Sequence, residues 1–427
     1  MQHRFIKTAI AMAISAMSCA SMAATWGTVS VDGETVAQGI EEALKNTSNA
    51  TVVLTGEAGS ALSVKDDQEN VSIRGQNISF SSAIAATDTV SVSEGGQIVI
   101  GGEETQKLSL SSSATGGYAA LFASNTDAKG AGPQITMTAK EVVINAADAG
   151  IWLQNNTQTE TTPSDGTHLT ISADNTVIKA EGAGIRAFSN SQVEISGNLT
   201  VDAPLAIDTR GNSIININQD GKGKVVLNGD ILFETPNAPG DAQNSGNIIN
   251  SEVNLNLSSA DSSWTGRAYQ GYREKNSDGT YSDIENVELN ADPYYGNVTD
   301  FTVSLSNGAQ WNSNGDSFVN NLEVADGASV NMQADAKVLN VDAMNVDNAT
   351  VSMQGGADQK VSVNTLKSKA ATLNMNASTK DGKSVQTGKF EVLQSVEDGS
   401  DLDVQLSGIT ADDIEDPQAA MDSVKDS

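Results

Sequence analysis

Gly315-Asp316-Ser317 is the place where this sequence comes nearest to a nucleophile motif, because a serine protease presents its hydroxyl within Gly-Asp-Ser-Gly. That chemistry needs a base to accept the serine proton, ordinarily a histidine steadied by a carboxylate. Here Phe318 replaces the second glycine, and the only histidine after residue 23 is His168, in what reads as an ordinary strand. No triad can be assembled, and Gly315-Asp316 reads as a turn. One such histidine and a single cysteine, Cys19, leave a zinc site too few ligands. Calcium fares no better: there is no EF-hand loop, and Gly355-Gly356-Ala357-Asp358, the nearest approach to a calcium-binding nonapeptide, occurs once. No catalytic residue, metal ligand or cofactor is expected, so the chain reads as a non-enzyme.

Residue types suited to binding are concentrated in one stretch, Arg267 to Asn297. It holds five of the six tyrosines, Tyr269, Tyr272, Tyr281, Tyr294 and Tyr295, together with Arg267, Arg273 and Lys275. Tyrosine and arginine offer flat apolar faces with polar tips, which suit sugars or protein surfaces, and loops carry binding more often than strands. The competing reading is an ordered hairpin whose tyrosines merely cover the side of the fold.

Both stretches must be held by something, and the rest of the sequence reads as many short strands. From about Val52 to Leu406, period-two alternation recurs between Gly, Asn and Asp punctuation, as in Val71-Ser72-Ile73, Ile98-Val99-Ile100, Leu169-Thr170-Ile171 and Ile214-Ile215-Asn216-Ile217. The sequence is also self-similar. Ala119-Ala120-Leu121-Phe122-Ala123-Ser124-Asn125, Ala149-Gly150-Ile151-Trp152-Leu153-Gln154-Asn155, Ala183-Gly184-Ile185-Arg186-Ala187-Phe188-Ser189-Asn190 and Leu205-Ala206-Ile207-Asp208-Thr209-Arg210-Gly211-Asn212 repeat one pattern, with anchors roughly 20 to 34 residues apart. Stacked coils explain this, since like residues then lie about 4.8 Å above one another, apolar inside and Asn on Asn. The expectation is an all-β solenoid over 51–406 with Leu121, Ile151, Ile185 and Leu205 on one interior wall. Glu34 to Lys45 places Val36, Ile40 and Leu44 on one helical face, so a short capping helix is expected within an N-terminal cap, 24–50.

The first 23 residues read as a secretory signal: Arg4 and Lys7, an apolar run from Thr8 to Ala20, then Ser21-Met22-Ala23 before cleavage. The run is shorter than the about 20 residues a membrane span needs. Cleavage would leave a chain without cysteine; Cys19 as a lipoprotein acceptor lacks the leucine usual three residues upstream. With 54 acidic against 24 basic residues, the formal charge of −30 repels phosphate backbones, so nucleic acid is not expected as a partner.

Ser263-Trp264-Thr265-Gly266, Val303 to Asn312, Gly315 to Leu322 and Gly327 to Asn331, in that order, resemble the passenger domains of Gram-negative autotransporters of the pertactin-like kind. The resemblance implies a right-handed parallel β-helix displayed at the cell surface or outer membrane, or released. It also implies a C-terminal β-barrel, which is not read here: 407–427 resembles the acidic linker towards such a barrel, with the sequence either truncated or served by a separate translocator. The function implied is a structural or adhesive rod, of very roughly 70 to 90 Å at 20 to 25 residues per coil, presenting loops to a host cell surface, matrix protein or glycan. The alternative is a β-helical polysaccharide lyase or glycosidase, whose paired carboxylates no pair here stands out to supply.

Overall fold

The computed structural model describes residues 24–36, 40, 44, 47–65, 70–125, 131–155, 166–234, 251–275, 281–288, 299–380, 384–416 and 418–419. Residues 1–23, read above as a signal and including Cys19, lie outside these. The chain is a parallel β-helix: strands follow one another round a coil, and each pairs in parallel with its counterpart in the next coil. It divides into two compact units, residues 1–198 with 202–204, and 199–201 with 205–427. No described helix is long and apolar enough to cross a membrane, which says nothing of membrane strands.

In the first unit three parallel ladders line the core. One runs through Thr51–Gly56, Asn77–Ser82, Lys107–Ser112 and the second half of Gln134–Ala146. A second runs through Leu62–Lys65, Val90–Ser93, Ala119–Asn125, Ala149–Asn155 and Ala183–Phe188. The third joins Asn70–Ile73, Gln97–Gly101, the first half of Gln134–Ala146 and Thr167–Ala180. Alternation explains the burial: Leu121, Ile151 and Ile185 stand in register and are fully buried, while Phe122, Trp152 and Arg186 between them face outward. Leu205, expected on the same wall, falls in the other unit. It is half-buried, and Ile207 two residues on is the fully buried side chain. Several short strands read from the sequence are fused; Gln134–Ala146 carries two of them round a corner at Thr138-Ala139-Lys140 that keeps extended backbone.

The start of this unit is built differently from the expectation. Thr28–Val31 and Glu34–Val36 form an antiparallel hairpin across Asp32-Gly33, whose φ values of 50° and 82° suit the tight turn that Asp-Gly favours. Val36 therefore pairs with Val29 instead of lying on a helix. Ile40 and Leu44 are helical and buried, but the residues between them fall outside the described set, so the capping helix as a whole is not shown. Among the described residues, antiparallel strands pair with two strands of the first coil: Ala24–Trp26 with Leu62–Lys65, and Thr28–Val31 with Thr51–Gly56.

The second unit repeats the three-ladder plan. Its interior holds one long register column, Leu227, Trp264, Trp311, Val330, Val351, Leu373 and Val404. The Trp264 and Trp311 rings stack at 4.5 Å and 6°. Each indole N–H donates to a glycine carbonyl at the corner one coil earlier, Trp264 Nε1 to Gly229 O and Trp311 Nε1 to Gly266 O, both 3.0 Å. Gly266 has to be glycine, since a Cβ there would lie 2.1 Å from the Gly229 carbonyl oxygen. Outside, amide pairs bridge neighbouring coils: Asn254 donates to Asn216 at 2.8 Å and Asn331 to Asn312 at 3.0 Å. Within the first unit Asn198 likewise donates to Asn175.

Part of the acid excess is structural. Corner aspartates accept backbone N–H groups from neighbouring coils: Asp32 from Thr51, Asp88 from Ala119, Asp148 from Gly117 and Asp401 from Ala370. Each satisfies a donor that the ladder leaves unpaired at the bend.

Candidate binding hairpin

The stretch rich in tyrosine and arginine begins as a solenoid strand and leaves as a hairpin. Ala268 to Gly271 pair in parallel with Ile231 to Glu234 of the preceding coil. The same strand, Ala268–Lys275, then pairs antiparallel with Tyr281–Asn286, so that Tyr272 stands opposite Ile284, Arg273 opposite Asp283 and Lys275 opposite Tyr281. Tyr294 and Tyr295 lie outside the described residues.

Arg267 fixes the root of this hairpin. Its Nε donates to Asp230 Oδ2 at 3.1 Å, and its two terminal nitrogens fork onto Glu285 at 2.8 and 3.0 Å. Its backbone N–H donates to Asp230 Oδ1, and its guanidinium lies 4.2 Å from the Tyr269 ring centroid. Its stem packs over Gly315. Partial burial works to lower the Arg267 pKa, but the hydrogen bonds it donates to Glu285 and Asp230 outweigh it and hold the group above its ordinary value. Burial likewise raises Tyr269 above the usual phenol range. The returning strand is docked too, since Asn340 Nδ2 donates to the Val287 carbonyl at 2.8 Å.

Of the eight sequence-derived binding residues, the structure thus joins Arg267 and Tyr269 in a charge clamp at the base and places Tyr272, Arg273, Lys275 and Tyr281 along the paired strands. Asp230, Glu285 and Asn340, which make the clamp, were not legible. Asp230 and Arg267 meet through the stacking of one coil on the next, and the variable coil length hides that spacing.

Gly315-Asp316-Ser317 is a corner. Asp316 Oδ1 accepts the N–H groups of Lys337 and Val338 at 2.6 and 2.9 Å. Ser317 is fully buried, its hydroxyl held by the Gly315 carbonyl and Ser313 and accepting from the Ala268 N–H. A hydroxyl so enclosed has no path to a substrate. In the first unit a second aromatic group, Phe122, Trp152 and Phe188, is packed edge to face, with Arg186 lying 4.8 Å from the Trp152 ring centroid. Among the described residues no group of three or more His, Cys, Asp or Glu is arranged to hold a metal ion. No protein-family model matches the chain, and no curated protein or solved structure matches it either.

Proposed function

We propose that this chain is an exported, surface-displayed or secreted passenger of the autotransporter kind, structural or adhesive in role, which presents loops to a host cell surface, matrix protein or glycan. The observation that carries this reading is the hairpin: a core strand runs on beyond its coil, and Arg267, Asp230 and Glu285 fix the root from which it continues. A stack whose stability comes from coil-on-coil pairing can carry such an insertion without disturbing the ladders below it. The alternative is a β-helical polysaccharide lyase or glycosidase. The test is saturable binding of the full chain to cells, matrix proteins and arrayed glycans, repeated after residues 272–297 are replaced by a two-residue turn. Binding that is lost with the hairpin, with no sugar fragments released, supports the proposal. Unchanged binding without the hairpin, or release of unsaturated sugar products, overturns it.

A further inference from the structure

The last coil differs from those before it. Along the interior column, Trp264, Trp311, Val330, Val351 and Leu373 are buried, whereas Val404 is 47% exposed. In the adjacent ladder Leu366 is buried and its partner Val396 is 54% exposed. Val396, Val404 and Leu393 are three of the four large apolar side chains exposed among the described residues. Leu402–Ser407 pairs along one edge with Ala371 to Asn376, and no strand among the described residues takes the other edge. Among the described residues that follow, Ile409 and Ile414 pack against Ala377 and Val385 instead. An open edge beside an uncovered core is a template for another strand.

We propose that this end is a self-association surface, on which a second copy of the chain docks by antiparallel pairing of Leu402–Ser407 with itself. A two-fold axis normal to the sheet keeps core-facing residues on one side, so the strand must be centred on a residue. Centred on Val404, the register sets Val404 opposite Val404, Leu402 opposite Leu406, and Asp403 opposite Gln405. Apolar residues then meet on the core side. On the outer side the one charged residue of the strand faces an amide, so no like charges are opposed in a chain of net charge −30. Gln405 Nε2 already donates to Asp403 within one copy, at 2.8 Å. The neighbouring Lys389–Val396 strand suits pairing less well, because its register is broken by a bulge.

The test uses the full chain with Cys19→Ser, which removes its only cysteine. Under mild oxidation Val404→Cys forms a covalent dimer, because opposed residues in an antiparallel pair lie about 4.5 to 5.5 Å apart at Cα, within disulfide reach. Leu402→Cys alone does not, its two copies being four residues apart along the strands, about 13 Å. Sedimentation velocity shows a concentration-dependent dimer for the unsubstituted chain and a monomer for Val404→Lys, with circular dichroism as the check on folding. A unsubstituted chain that stays monomeric at its highest soluble concentration overturns the proposal. So does equal cross-linking at 402 and 404, or a dimer that survives in folded Val404→Lys. Should Val404→Lys not fold, the cysteine pair decides.

Discussion

Replacing Trp311 tests the stacking of coils at its most specific point. The side chain is fully buried, lies flat on Trp264, and gives its N–H to the Gly266 carbonyl. Trp311→Ala removes the ring and leaves a cavity, which in protein cores costs about 3 to 5 kcal/mol. Trp311→Phe keeps an aromatic ring in the column but removes the N–H, leaving the Gly266 carbonyl without that donor in a dry interior. That omission costs about 1 to 3 kcal/mol, on top of a smaller loss of packing. Because coils can open separately in a solenoid, the readout is hydrogen exchange at the flanking strands Ser263–Thr265 and Ser329–Met332. Protection there falls by about tenfold or more in Trp311→Phe, each 1.4 kcal/mol being a factor of ten, and further in Trp311→Ala. The exciton couplet of the stacked indole pair disappears from the circular dichroism of both. If Trp311→Phe exchanges like the unsubstituted chain and the couplet survives, the two indoles are not stacked in register and the coil alignment here is wrong.

Two other outcomes follow from the corners. Burial pushes the Asp88 carboxyl from 3.8 up to about 6, against backbone hydrogen bonds, one of them from Ala119, that lower it. The folded state therefore binds the proton more tightly than the unfolded one. This contribution to stability is fully present below about pH 4 and is lost as pH rises through 6, by up to about 3 kcal/mol at 1.36 kcal/mol per unit and less for a half-buried group. Asp88→Asn flattens the melting temperature of the first unit between pH 4 and 7, and a variant with the unsubstituted pH profile refutes the assignment. Ala370 sits at φ 47° in the same corner column as Asn307, Asp326 and Asn348, at φ 54°, 50° and 51°. A left-handed alanine costs about 1 to 2 kcal/mol, so Ala370→Asn raises the stability of the second unit by about 1 kcal/mol in denaturant titration, and a loss of stability would count against the corner geometry.

What could be read ahead of the structure was whatever repeats. Alternation marks the inward face of each strand, and the return of Leu121, Ile151 and Ile185 marks the coil, because stacking puts like on like. The Trp-Thr-Gly of 264–266 was legible as a motif, though its reason, an indole bonded to a glycine carbonyl one coil away, was not. Of the helical face expected over Glu34 to Lys45, Val36 was claimed by a local signal: Asp32-Gly33 between Val31 and Glu34 is a two-residue hairpin turn that draws it into a strand, while Ile40 and Leu44 are helical and buried. Leu205 is expected inside by its position in the motif, but it is half-buried and the fully buried side chain there is Ile207.

The same distinction governs the hairpin. Tyrosine and arginine content marks where an insertion is, since both are scarce elsewhere in the chain. It does not say which of them hold the insertion and which are left to meet a partner. That depends on Asp230, supplied by the previous coil, and on Glu285, supplied by the returning strand. A half-buried guanidinium bonded to two carboxylates is committed, because moving it to a ligand would leave both acids without their cation. If the hairpin binds, the energy must come from residues beyond the clamp, and Arg267 acts by holding them in place. Substituting Arg267 then weakens binding through loss of order at the root, whereas substituting Arg273 or Lys275 weakens it with the root intact, and hydrogen exchange at Gln270 and Asn286 tells the two apart.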